Sequence, residues 1–297
     1  MIIIGEKIHA SCTTPKSNPP YRPFVDAAQQ LFHGDAAARG FAERFIAYAA
    51  TSQAKAGAAW LDINVDEISS DANEREAAMR RFVKIVLRAS PLPLCIDAAD
   101  TRVLCAGLSA CHAAGRATIL NSITPNRLDA LELAVRFNSG VVLLPTPANS
   151  VPATAEARCE LQQELLAHVD AAGIAREKCF LDPIVMPIAM DPRAVIITLE
   201  TVKCFRKFFG EKIHVIGGVS NVSYGLPARA NINRVFAHLF FNAGAGFAIL
   251  NPVQVTHADI LSPDTSAKNF QLARALLEGE DEYGMAYIDA FRQNGGG

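Results

Sequence analysis

Neither sign of charge dominates this chain: 28 Lys and Arg stand against 30 Asp and Glu over 297 residues, a formal net charge of -2. No broad basic face is available to hold a nucleic acid backbone, so nucleic acid is not an expected partner. Cysteine pairs at C-x-x-C spacing are missing. The seven cysteines, at 12, 95, 105, 111, 159, 179 and 204, are scattered and odd in number, which reads as reduced thiols in a cytoplasmic protein. Long hydrophobic runs are missing too. The apolar start at 1–4 is cut off by Glu6 and Lys7, well short of a signal segment or membrane span.

Several nucleotide and hydrolase signatures are also absent. The chain has no G-x-G-x-x-G after a strand, no G-x-x-x-x-G-K-S/T and no G-x-S-x-G, which removes support for dinucleotide, P-loop and α/β-hydrolase readings. The histidines at 9, 33, 112, 168, 214, 238 and 257 show no H-x-x-x-H spacing and no cysteine neighbour at ligand spacing. No protein-held metal is expected.

What is present is a repeat of short apolar runs and longer amphipathic stretches. Half of the residues are hydrophobic and 20% are charged, enough apolar surface for one large core. Eight runs resemble buried parallel strands: 2–5, 60–65, 93–97, 118–122, 141–145, 179–183, 213–217 and 247–251. Between them, helical spacing covers 41–57, 73–90, 101–114, 126–137, 154–173, 193–209 and 228–244. Eight strand-like runs alternating with helical stretches, without a composition break, predict a single (β/α)8 barrel over residues 1–297. Pro15, Pro19, Pro20 and Pro23 predict a long inserted loop at 12–40, after the first strand. A loop there would lie on the catalytic face, as a lid or as a surface excursion. Residues 278–297 read as a tail or a short helix.

Polar residues close the predicted strands: Glu6, Asp62 and Asn64, Asp97, Asn121, Asp182, Ser220 with Asn221, and Asn251. Parallel strands carry their C-terminal ends to one rim, so these side chains would share one mouth. Each could also cap the following helix. Capping accounts poorly for the whole run.

At the same residues the chain resembles the pterin-binding barrel family, and within it the methyltetrahydrofolate:corrinoid methyltransferases, including the folate domain of cobalamin-dependent methionine synthase. The matching stretches are IIIGEKIHA (2–10), GAAWLDINVD (57–66), LPLCIDAAD (92–100), ATILNSIT (117–124), LDPIVMPIAM (181–190) and GGVSNVSYGLPARANINR (217–234). The resemblance implies that Asp97, Asn121 and Asp182 hold the pterin ring, with Asp62 and Asn64 supporting them or a bound water. It implies that Asn221 is the catalytic amide beside N5 of tetrahydrofolate or methyltetrahydrofolate, the folate substrate. Glu6, Ser220, Arg229 and Asn251 are further candidates at the rim. The methyl group would pass to or from cobalt in a corrinoid (cobalamin) carried by a separate corrinoid-binding protein. A homodimer without nucleic acid or membrane partners is the expected assembly.

A carboxylate can meet adjacent N–H donors of a pterin's aminopyrimidine edge, and an amide can match both a donor and an acceptor. Two other readings stay open at this point. One is a dihydropteroate synthase-like enzyme, although 249–260 lacks the basic cluster that pyrophosphate would need. The other is a noncatalytic pterin-binding subunit that docks a corrinoid protein.

Overall fold

The computed structural model describes residues 1–13, 21–148 and 150–292. Eight strands, β1 (Ile2–His9), β2 (Trp60–Asn64), β3 (Leu94–Asp97), β4 (Thr118–Ile123), β5 (Gly140–Leu143), β6 (Cys179–Leu181), β7 (His214–Val215) and β8 (Phe247–Leu250), pair in parallel in the order β7-β6-β5-β4-β3-β2-β1-β8. The remaining edges meet as well. Ile249 donates its N–H to the carbonyl of Gly217 at 2.9 Å and Gly246 to that of Val215 at 3.1 Å, with a parallel bridge between Gly218 and Ile249. The sheet therefore closes into the predicted barrel.

The helices are α1 (Pro23–His33), α2 (Ala36–Lys55), α3 (Ala72–Ala89), α4 (Thr101–Ala113), α5 (Leu131–Phe137), α6 (Ala155–Ala171), α7 (Ala194–Phe209), α8 (Arg229–Asn242), α9 (His257–Leu261), α10 (Lys268–Leu277) and α11 (Met285–Arg292). Asp35, Asp71, Asp100, Thr154 and Thr256 each cap a helix by accepting a backbone N–H. None of the helices described is long and apolar enough to cross a membrane.

Side chains alternate between two cores. Outward strand residues such as Ile3, Leu61, Leu94, Leu120 and Val141 pack with the helices in one large buried cluster. The inward residues Ile4, Cys95, Ile119, Val142, Phe180, Ile216 and Phe247, with Trp60 and Ile249 against them, make a smaller cluster that plugs the barrel. This plug is the floor of the mouth. The next inward positions along the same strands are Glu6, Asp62, Asp97, Asn121 and Asp182, so strand parity alone sends these polar side chains to one end of the barrel.

The expected loop at 12–40 is corrected by the structure. Residues 23–33 form α1 and residues from 36 onward belong to α2; only 14–20 of that span lie outside the described residues. Pro23 starts α1 rather than breaking it, because a helix leaves its first N–H groups without partners and proline's fixed φ suits that position. Phe24, Ala27, Ala28 and Leu31 bury one face of α1, and the Phe24 ring lies 5.0 Å from that of Phe45.

The expectation of seven reduced thiols is likewise corrected. Cys159 on α6 and Cys204 on α7 are joined, their Cα atoms 6.7 Å apart, while Cys12, Cys95, Cys105, Cys111 and Cys179 are free. The two helices pack side by side, a proximity that a sequence separation of 45 conceals. In the tail, α11 forms a short helix, one of the two forms expected for 278–297. Its Tyr287 is fully buried and donates its hydroxyl to the carbonyl of Ala228, 3.2 Å away, at the start of α8.

Candidate active site

A bulge in β1 shapes one side of the mouth. Between Gly5 and Ile8 the strand gains a residue on β2, pairing Gly5 with Leu61 but Ile8 with Ile63. Glu6 and His9 consequently both face the interior, which strict alternation would forbid. Gln53 of α2 stabilises the bulge: its Oε1 accepts the Lys7 N–H at 2.8 Å. Gly5 is required at this approach, since a Cβ there would lie 2.6 Å from the same oxygen.

Beyond the bulge a polar row crosses four strands. His9 is in register with Asn64, Asn64 with Asp97, and Asp97 with Asn121. Asn64 donates Nδ2–H to Asp97 Oδ2 at 2.9 Å, and its Oδ1 accepts the Asp66 N–H at 2.9 Å. Below the row, Asp62 is buried, with Oδ1 lacking a hydrogen-bond partner. Asp182 follows β6, and its Oδ1 accepts the Ile184 N–H at 2.7 Å. The loop that continues from Asp182 is braced by the buried Arg158, which donates to the carbonyls of Pro183 (2.6 Å) and Ile184 (3.0 Å).

Burial shifts the titrations of these groups. It lifts Asp97 and Asp182 to about 6, Asp97 against the opposing pull of the Asn64 hydrogen bond. Burial, with the Asp97 charge nearby, also raises Asp62. His9 is pushed down to about 4 by burial. Its Nδ1 accepts the Ser11 backbone N–H at 3.1 Å, which leaves the proton of the neutral ring on Nε2, 3.9 Å from Asp97 Oδ2.

The other half of the mouth is an open cavity of about 970 Å³. Glu6, Ser220, Asn221, Arg229 and Asn251 line it, together with Lys7, His9 and Asn233. Asn221 sits on a 3-10 turn, Val219–Ser223, and its side chain is exposed. Ser220 donates its hydroxyl to Glu6 Oε1 at 2.6 Å. Arg22, from the segment before α1, and Glu67, after β2, form an ion pair on the cavity wall.

The predicted residues thus divide. Glu6, Ser220, Asn221, Arg229 and Asn251 share the cavity; Asp62, Asn64, Asp97, Asn121 and Asp182 lie on the strand ends beside it and do not line it. His9 connects the halves, being both a cavity residue and a neighbour of Asp97. Sequence reasoning found no ligand spacing at His9 and passed over Gln53 and Asn233. Only the bulge brings His9 inward, and a one-residue bulge leaves no mark in apolar periodicity.

His9, Asp62 and Asp97 each place one ligand atom within 4.8 Å of the others, so these are the described residues that could approach a cation. The wider arrangement is a set of carboxylate and amide groups above an apolar floor. Such a site can grip a flat, polar-edged heterocycle while excluding water from its face.

The sequence profile described as pterin binding enzyme matches residues 38–251, most of the barrel. The chain belongs to the pterin binding enzymes. One relative of this pterin binding enzyme is a methylcorrinoid:tetrahydrofolate methyltransferase of Eubacterium limosum, 27% identical over 301 residues that cover 99% of this chain and 97% of that protein. A methionine synthase of Mycobacterium tuberculosis is 28% identical over 259 residues, 78% of this chain but only 21% of that longer protein. Solved structures with the same fold include a dihydropteroate synthase from Coxiella burnetii in complex with pteroic acid, at TM-score 0.64 and 16% identity, covering 89% of this chain and 92% of that one. Another is that of Xanthomonas albilineans in complex with 7,8-dihydropteroate, at TM-score 0.62 and 16% identity, covering 87% and 90%. At such identities the likeness concerns the barrel alone.

Proposed function

We propose that this pterin binding enzyme transfers a methyl group between N5 of tetrahydrofolate and the cobalt of a corrinoid carried by a second protein. The observation that carries the reading is the in-register run Asn64–Asp97–Asn121 on an apolar floor, with Asp182 across the mouth and the exposed amide of Asn221 at its open side. The full-length similarity to a methylcorrinoid:tetrahydrofolate methyltransferase supports it.

In this reading Asp97, Asn121 and Asp182 receive the donors of the pterin edge. Asn64 holds Asp97 in place, and Asp62 offers its unpartnered oxygen to a bridging water. In the demethylating direction the N5–methyl bond breaks with its electrons left on nitrogen, a poor leaving group unless N5 gains a proton or a strong hydrogen bond. The Asn221 amide can donate to N5 or accept from it, so it can follow that change without itself ionising. The corrinoid supplies the nucleophilic or methyl-bearing cobalt. The cavity beside Asn221 is the side from which it can approach.

Dihydropteroate synthase chemistry has the fold likeness in its favour and no basic cluster after β8. The test is direct: the protein, methyltetrahydrofolate and cob(I)alamin are mixed and the corrinoid spectrum is followed. Formation of methylcobalamin at a rate that saturates with folate is expected. No protein-dependent methylcobalamin, with a corrinoid-binding protein also supplied, would overturn the proposal.

A further inference from the structure

Asn221 is held from behind by residues that have no part in gripping a pterin. Its turn is short: the Asn221 N–H reaches Gly218 O at 3.1 Å and the Tyr224 N–H reaches Asn221 O at 3.1 Å. These bonds fix the turn's shape, and its far side is tied to the loop after β6 by the Ile188 N–H, which the Val222 carbonyl accepts at 3.0 Å.

On the side facing the mouth the turn is tied at Ser220. Asn233 of α8 directs its Nδ2 toward Ser220 Oγ at 3.4 Å, so that oxygen acts as acceptor and its own proton goes to Glu6 Oε1 at 2.6 Å. The Ser220 carbonyl accepts from Arg229 Nη2 at 2.8 Å, and Arg229 Nε reaches Ser223 Oγ at 3.0 Å. One residue away from Asn221, the turn is thereby tied to β1 through Glu6 and to α8 through Arg229.

A carboxyl at this place is costly, since burial raises Glu6 above its ordinary titration range. Gln53, through the Lys7 N–H, holds the strand immediately beyond Glu6. Close above it, the Asn221 amide passes so near the backbone that a Cβ on Gly218 would lie 2.9 Å from Nδ2. The amide therefore lies against the Gly218 backbone.

We infer that Glu6 is a positioning residue for Asn221: acting through the Ser220 hydroxyl, it holds the Val219–Ser223 turn so that the Asn221 amide meets N5 of the bound pterin. The inference rests on the methyl-transfer reading of the site. It predicts that disturbing Glu6 slows the transfer step and spares folate binding, because Asp97, Asn121 and Asp182 stand on other strands.

Single-turnover transfer from saturating methyltetrahydrofolate to cob(I)alamin would be measured in Glu6→Ala, Glu6→Gln, Ser220→Ala, Asn221→Ala and the double variant Glu6→Ala/Asn221→Ala, with folate affinity by calorimetry. Glu6→Ala and Ser220→Ala are expected to lose on the order of 10- to 100-fold in rate, as for a misplaced catalytic group, with folate affinity within about twofold. Glu6→Gln, which keeps an oxygen for the Ser220 proton, should restore most of the rate. In the Asn221→Ala background, Glu6→Ala should cost almost nothing further.

Wild-type rates in both Glu6→Ala and Ser220→Ala would overturn the inference, as would a full multiplicative loss in the double variant. Should Glu6→Ala fail to fold, Ser220→Ala and Glu6→Gln carry the test. A wild-type rate in Asn221→Ala would instead sink the functional reading itself, so the two failures are distinguishable.

Discussion

Asn64 donates its amide to Oδ2 of Asp97 across 2.9 Å, from the neighbouring strand and in direct register. That bond occupies one oxygen of Asp97 and leaves the other for a ligand. It also opposes the effect of burial on the same carboxyl. A site with Asp97 half committed before any substrate arrives needs little rearrangement to receive a planar ring.

Replacing Asn221 by Ala should leave folate affinity nearly intact and reduce methyl transfer by about 10²- to 10³-fold, the usual loss when one transition-state hydrogen-bond partner is removed. Stopped-flow spectra of cob(I)alamin with methyltetrahydrofolate measure the rate, and calorimetry the affinity. An equal loss in both would recast Asn221 as a binding residue.

Asp97 and Asp182, both lifted to about 6, give opposite pH trends for stability and binding. Between the ordinary carboxylate range and about 6 the folded protein keeps protons that the unfolded chain has released. Stability of the unliganded protein therefore falls as pH rises through that window, and levels off above it. Pterin affinity should rise across the same window, because the ionised acceptors bind the ring's donors better. Thermal unfolding and folate titrations at about pH 5 and about pH 7.5 would show both trends, and Asp182→Asn should weaken each. Affinity independent of pH would remove the carboxylates from ring recognition.

His9, held as an acceptor at Nδ1 by the Ser11 N–H and pushed down to about 4, should remain neutral with its proton on Nε2 at every working pH. Long-range ¹H–¹⁵N spectra of the ring report the tautomer. A titration in the ordinary histidine range would contradict the burial seen for this side chain.

Chelation should not alter folate binding or methyl transfer. The His9, Asp62 and Asp97 atoms come within 4.8 Å of one another, yet the Asn64 amide already directs its positive end at one oxygen of Asp97. Metal analysis of purified protein and assays after chelator treatment are the measurements. Activity lost to chelation and restored by a divalent ion would assign the three side chains to a metal.

The barrel and its polar rim could be read from the sequence because both follow from alternation. Once Ile4, Cys95, Ile119 and Phe180 face inward, so must Glu6, Asp97, Asn121 and Asp182. What could not be read depends on breaks in that rule or on contacts between distant segments. His9 enters through the bulge at 5–8, and the Glu6–Ser220 bond joins residues 214 positions apart. The prolines at 15–23 suggested a long loop because a proline at a helix start and one in a loop look alike without the following buried face of Phe24, Ala27 and Leu31. The Cys159–Cys204 pair needed two helices to meet.

The contact between Tyr287 and the Ala228 carbonyl couples α11 to the rim of the mouth. Ala228 precedes Arg229, whose guanidinium grips the Ser220 carbonyl, so α11 is two links away from the turn that carries Asn221. Truncation ahead of Met285, or a fusion that pulls this segment off its seat, would loosen the Val219–Ser223 turn on the far side of α8 while leaving Asp97, Asn121 and Asp182 untouched.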